Sequence, residues 1–224
     1  MRLLLVVLLV ASTLPMLFAS ADDEAPRIVA LGDSLTSGYG IGSADAYPAV
    51  LQARLDDGGY HYQMVNAGVS GDTTGRALRR YQEALDGNVK ILIVALGAND
   101  GLRGVPISQL KSNLSAIIEE AQRRAIAVVL VGMDALPLRG WDYSLAFHRV
   151  YQELATEYHV SLVPSFLTKV MPDASLMQSD RAHPNRDGAR AIADIIWRYL
   201  EPLLGGARHQ DQESLVGGQT SLLP

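Results

Sequence analysis

Residues 90–96 read KILIVAL, an apolar run dominated by β-branched and leucine side chains. It is short for a helix and has no polar face to offer water. That combination predicts a central strand of a parallel sheet, covered on both sides. Weaker segments repeat the theme at 28–31 (IVAL), 62–65 (YQMV), 127–131 (AVVLV) and 160–163 (VSLV). Helical spacing fills the intervals. Tyr47, Val50, Leu51 and Leu55 share one face and stop at Gly58-Gly59. Asp72 or Thr73 can cap a helix to about 85, and Ser108 one to about 124. Residues 143–158 form another. Asn185 caps the last, 186–200, with Ile192, Ile195, Ile196 and Tyr199 at core spacing. Strands alternating with helices require right-handed crossovers and a parallel sheet with helices on both faces. The expected fold class is α/β: a flavodoxin-like three-layer α/β/α sandwich with five strands in the order 2-1-3-4-5.

The ends of the chain have a different composition. Arg2 precedes an almost wholly apolar stretch at 3–18, and Ala19-Ser20-Ala21 leads into Asp22-Asp23-Glu24. This predicts a signal peptide over 1–21, cut after Ala21. An uncleaved anchor is the rival, but Pro15 and the small-x-small site favour cleavage. No cysteine occurs anywhere, so a lipid-modified leader, a disulfide framework, a thiol nucleophile and a zinc–thiolate site are all excluded. The folded domain is expected over 22–204. The Gly-, Gln- and Ser-rich tail, 205–224, lacks any period and is expected to be disordered. Formal charge is −5, and −6 once the leader with its single Arg2 is gone. That balance argues against a nucleic-acid partner and against adsorption to anionic lipid. An exported, periplasmic or secreted monomer with no stable membrane insertion is the expectation.

Chemistry in such a sheet collects at the carboxyl ends of the strands. Ser34 follows the first strand after Gly32-Asp33, Gly68 follows the second, and Asn99 follows the third. Asp180-x-x-His183 precedes the last helix. Acyl transfer needs these residue types. Ser34 would attack a carbonyl carbon, His183 would move the proton, and Asp180 would hold the imidazole tautomer. The backbone N–H groups of Ser34 and Gly68 and the amide of Asn99 would receive the oxyanion.

Taken singly, each residue has an ordinary reading. Ser34 could be a helix cap, Gly68 and Asn99 turn residues, His183 a surface histidine like His61, His159 and His209, and Asp180 a loop carboxylate. Asp33 and Asp72 read as a turn and a cap residue, and His148 as part of a solvated helix face. Asn113-Leu-Ser115 matches a glycosylation acceptor but falls on a predicted helix. It is the joint occurrence of the first group, in order and at strand ends, that points to a nucleophilic serine. The rival is a phosphate- or nucleotide-binding module built on the Gly- and Ser-rich loop at 32–40. It lacks a Walker lysine and a G-x-G-x-x-G, and leaves Asn99, Asp180 and His183 without a role. The G-x-S-x-G elbow is absent too.

Gly32-Asp33-Ser34-Leu35, Gly68 within NAGVSGDTT, Gly97-Ala98-Asn99-Asp100 and Asp180-Arg181-Ala182-His183-Pro184-Asn185 together resemble the four sequence blocks of the SGNH (GDSL) hydrolases. GANDGLRG and HPNRD are closest to the periplasmic thioesterase I/lysophospholipase/arylesterase subgroup. The resemblance covers about 27–204. It implies the flavodoxin-like fold, catalytic Ser34, Asp180 and His183, an oxyanion hole of Ser34, Gly68 and Asn99, and neither metal nor cofactor. The expected substrate is a small ester or lipid. Leu102, Leu136 and Pro137 are expected to bind it, within loops 101–107 and 132–141 that also carry Val105, Ile107, Met133 and Leu138. The loop at 132–141 departs from the subgroup's wording.

Overall fold

The computed structural model describes residues 24–165 and 167–204. The predicted leader and tail lie outside the described residues. Five strands are described: β1 (Arg27–Gly32), β2 (Gln63–Gly68), β3 (Val89–Ala95), β4 (Ala127–Val131) and β5 (Ser161–Val163). All pair in parallel, in the order β2-β1-β3-β4-β5. β1, β3 and β4 are buried along most of their length, whereas β2 is a half-buried edge.

The helices are α1 (Ser34–Ser37), α2 (Tyr47–Asp57), α3 (Thr74–Ala77), α4 (Tyr81–Ala84), α5 (Ala98–Arg103), α6 (Ile107–Arg123), α7 (Trp141–Tyr158), α8 (Leu167–Val170) and α9 (Arg186–Leu200). α2 packs against α9, and α6 against α7. Helices thus pair on either side of a sheet whose core residues, such as Leu31, Leu92, Ile93 and Leu130, are fully buried.

Three predicted elements differ from what formed. The helix expected to run to 85 splits into α3 and α4. Thr73 caps α3 through Arg76 N–H, while Arg80 leaves helical geometry at φ −129°. Asp72 is not a cap. It is 2% exposed and takes Arg76 and Arg80 as ion-pair partners. α6 starts at Ile107, before Ser108, because Pro106 supplies the entry: its fixed φ of −53° suits the turn and it has no N–H to satisfy. α7 starts at Trp141, two residues early, from Gly140 at φ +91°. Asn113 is buried on α6 and donates to Thr74 Oγ1 at 3.0 Å, so it is a packing amide.

Register brings the site together. Gly32 pairs with Gly68 on one side and Ala95 on the other, so β1, β2 and β3 end level. Arg80 ties two of those ends. Its Nε donates to Asp72 (2.7 Å), Nη1 to Ala67 O (2.9 Å) and Nη2 to Gly32 O (3.2 Å). Replacing Arg80 with Ala strips Asp72 and two strand-end carbonyls of donors. Urea unfolding is expected to show a loss of about 2–3 kcal/mol.

Candidate active site

The turn after β1 is built around contacts too close for any side chain at its first residue. A Cβ on Gly32 would overlap Thr36 Oγ1 and sit 2.9 Å from Ala95 O. Asp33 then caps α1, accepting from Leu35 N–H at 3.0 Å. Ser34 opens the helix at the sheet's carboxyl edge.

His183 reaches Ser34 across 149 residues of chain. Its Nε2 lies 3.1 Å from Ser34 Oγ, and its Nδ1 lies 2.7 Å from Asp180 Oδ2. The segment that delivers it is pinned at several points. Asp180 Oδ1 accepts from the N–H groups of Ala182 and His183, both at 3.0 Å. Gln178 N–H donates to His183 O, and its side chain donates to Tyr39 O and Pro184 O. Asn185 caps α9 through Asp187 and Gly188 N–H. The Tyr39 ring lies 4.6 Å from the His183 ring. The Asp180 carboxyl is held at about 2, first by the His183 ring and then by those two backbone donors.

The three expected oxyanion donors stand differently. Asn99 sits at the second position of α5, at the cleft, and its Nδ2 donates to Asp33 Oδ2 at 3.3 Å. Gly97 makes that turn possible: it adopts φ +125°, and a Cβ there would overlap Tyr151 Oη, which donates to Leu96 O. Gly68 lies behind Ser34 and does not line the cleft. Its N–H donates to Asn66 Oδ1 at 3.0 Å, and Asn66 Nδ2 donates to Thr36 O. A Cβ at Gly68 would lie 2.4 Å from Ser37 N.

A cleft of about 560 Å³ opens beside Ser34, Asn99 and His183. Its walls are mostly apolar: Ala98, Leu102, Ala135, Leu136, Met171 and Pro172. Of the three residues expected to bind substrate, Leu102 and Leu136 line this cleft. Pro137, Leu138 and Trp141 do not line the cleft, because Pro137 starts a 3-10 turn that carries the chain over the surface. Met133 is fully buried core.

Sequence reasoning missed several participants. Asp33 was expected to be a plain turn residue. It is completely buried, and that burial pushes its carboxyl up to about 6 against the opposing pull of Leu35 N–H and the Asn99 amide. Asp100, also buried and shifted upward by burial, anchors the start of α3 by accepting from Thr74 N–H and Oγ1. Asp134 on the cleft wall pairs with His148 at 2.8 Å, a partner that a solvated helix face did not suggest. The spacing of Arg76 and Arg80, four and eight residues after Asp72, was the one legible signal for the clamp.

Residues 30–191 match the model of the GDSL-like Lipase/Acylhydrolase family. The chain belongs to that family. It is therefore an ester hydrolase, and the phosphate- or nucleotide-binding reading is not favoured. Esterase TesA of Pseudomonas aeruginosa is 34% identical over 88% of this chain and 98% of its own length. Thioesterase 1/protease 1/lysophospholipase L1 of Escherichia coli (strain K12) is 37% identical over 80% and 86% respectively. The crystal structure of TesA superposes with a TM-score of 0.75 at 35% identity, over 79% of this chain and 99% of that one.

The buried Asp33 carboxyl makes stability depend on pH. Its native value lies above the unfolded one, so its contribution is fully present below about pH 4 and lost as pH rises through about 6. An Asp33→Asn protein lacks that titration. Between pH 4 and 7.5, its unfolding free energy relative to wild type is expected to rise by on the order of 3 kcal/mol. Denaturant midpoints at the two pH values measure it.

Proposed function

We propose that this hydrolase works through an acyl-Ser34 intermediate. Ser34 Oγ attacks the ester carbonyl carbon while its proton passes to His183 Nε2. Asp180 accepts from His183 Nδ1–H, fixes the tautomer and balances the imidazolium. The tetrahedral intermediate collapses as His183 returns the proton to the leaving oxygen or sulfur. Water then enters, gives its proton to His183 and releases the acid, restoring Ser34. The observation that carries this reading is the unbroken chain Ser34 Oγ, His183 Nε2, His183 Nδ1, Asp180 Oδ2, with contacts of 3.1 and 2.7 Å.

The oxyanion falls to the Ser34 N–H and the Asn99 amide, whose first N–H is already held by Asp33. The Gly68 N–H joins them by sharing its hydrogen with Asn66 Oδ1 or by losing that partner when substrate binds. A donor that must first give up a bond contributes less than one waiting in place, so Asn99 carries the larger share.

The apolar walls around Leu102 and Leu136 suit an acyl chain, and few polar groups are available to read a sugar. Aryl esters and short to medium acyl esters fit, with thioesters and lysophospholipids as further substrates. The ester, thioester and lysophospholipid parts of that range are supported by the names of the two relatives. Among the described residues no helix is long and apolar enough to cross a membrane. The apolar stretch at 3–18 and Ala19-Ser20-Ala21 support a leader cleaved after Ala21 and export of the rest of the chain.

The reading is tested on a p-nitrophenyl ester series from acetate to palmitate. Ser34→Ala and His183→Ala are each expected to abolish nearly all turnover, and the double variant to be no worse than either. Asn99→Ala is expected to lower kcat by roughly 10²–10³ with little change in KM. Turnover persisting in Ser34→Ala would place the nucleophile elsewhere.

A further inference from the structure

The cleft explains only part of the apolar surface around it. Leu102 and Leu136 are 59% and 55% exposed and line the cleft, so a bound acyl chain covers them. Leu138, Trp141 and Leu145 are 75%, 71% and 54% exposed and do not line it. These three form one ridge. Leu138 lies in the 3-10 turn, Trp141 opens α7, and Leu145 follows one helical turn later on the same face. A cluster of large apolar side chains this exposed marks a surface that meets something else.

The ridge is seated on the rim of the cleft. Arg139 lies directly against Gly104, where any Cβ would overlap it, and its Nη2 donates to Arg103 O at 3.0 Å. Tyr143 Oη donates to Val105 O at 2.9 Å. Both contacts tie the ridge to the segment ending α5, the helix that carries Leu102. The ridge is thus held beside the helix whose Leu102 lines the cleft, and Leu136, which also lines it, stands two residues before Leu138.

The chemistry of the occupant follows from the ridge's make-up. Leucines beside a tryptophan at the head of a helix are the side chains that enter the headgroup–acyl boundary of lipid. Charge gives no reason to choose an anionic surface, since the chain carries −5 and, at the ridge itself, Arg139 next to Leu138 offsets Asp142 next to Trp141. We propose that Leu138, Trp141 and Leu145 dip into a zwitterionic phospholipid surface. An acyl chain then passes from the lipid layer along Leu136 and Leu102 without crossing water. The inference rests on the acyl-ester reading of the cleft and extends it to where the ester is held.

The test compares wild type with a Leu138→Ser, Trp141→Ser, Leu145→Ser variant that shares its N-terminus. In a Ser34→Ala background, co-sedimentation with phosphatidylcholine vesicles is expected to fall about tenfold in the variant. In active protein, kcat/KM on micellar lysophosphatidylcholine falls about tenfold, while that on monomeric p-nitrophenyl butyrate stays within about twofold. A second measurement leaves the ridge intact: in a Trp197→Phe protein, which removes the tryptophan of α9 that packs against Tyr60, brominated phosphatidylcholine is expected to quench the remaining Trp141. Equal vesicle binding by the two proteins overturns the proposal, as does an equal loss on both esters. So does a wild-type dimer that the variant splits, which would make the ridge a self-interface. A wild type inactive on p-nitrophenyl butyrate would sink the esterase reading alone, because vesicle binding and quenching require no turnover.

Discussion

The site depends first on where three parallel strands stop. Hydrogen bonding sets Gly32, Gly68 and Ala95 level, so the turns that follow open onto the same edge of the sheet. The approach is close enough that Gly32 and Gly68 admit no side chain against Thr36 and Ser37. Arg80 then crosses beneath the edge and satisfies carbonyls at the ends of two strands, while its own charge is balanced by the buried Asp72. Parallel sheets leave such carbonyls without partners where the ladder ends, and a buried polar group left unpaired is costly. A guanidinium with several donors in one plane can serve them together.

Two carboxylates near the serine are driven in opposite directions. Asp33 is sealed from water and rises to about 6, whereas Asp180 is partly exposed, hydrogen-bonded to an imidazole and two amides, and falls to about 2. Environment divides their work. Asp180 stays ionised beside His183 at neutral pH. Asp33 accepts from the Asn99 amide at the expense of a desolvated carboxyl, which places a local stability cost next to Ser34. The exposed ridge at Leu138, Trp141 and Leu145 is a second departure from what stability alone would favour. Neither lines the cleft: Asp33 precedes Ser34 in the chain, and the ridge follows Leu136, which does line it.

Much of this was legible in the chain. KILIVAL could only be a buried strand, and the five apolar runs with helices between them led to the sheet order that formed. Legibility ended where long-range geometry entered. Asp72 had the look of a helix cap until Arg80 turned back to meet it. The helix through 85 broke at the same residue: Arg80 is non-helical, at φ −129°, and its guanidinium serves the strand ends. Pro137 was expected at the substrate, yet a 3-10 turn carries it away while Asp134 and Leu136 remain on the wall. Gly68 was expected to offer its N–H, and Asn66, two residues earlier, already accepts it.

By itself the sequence determined the local conformations and the chemical inventory. Side-chain period, β-branching and capping residues act over a few positions, so strands and most helices could be read from neighbours, while Ser34, Asn99, Asp180 and His183 stood out only by occurring together, in order, at strand ends and before the last helix. Only the tertiary structure decided distances and environments. That His183 Nε2 meets Ser34 Oγ, that Asp33 is dry while Asp180 is wet, and that three apolar side chains stand outside the cleft all depend on contacts between residues far apart in the chain. Such contacts follow from how the layers pack, and spacing along the chain does not encode them.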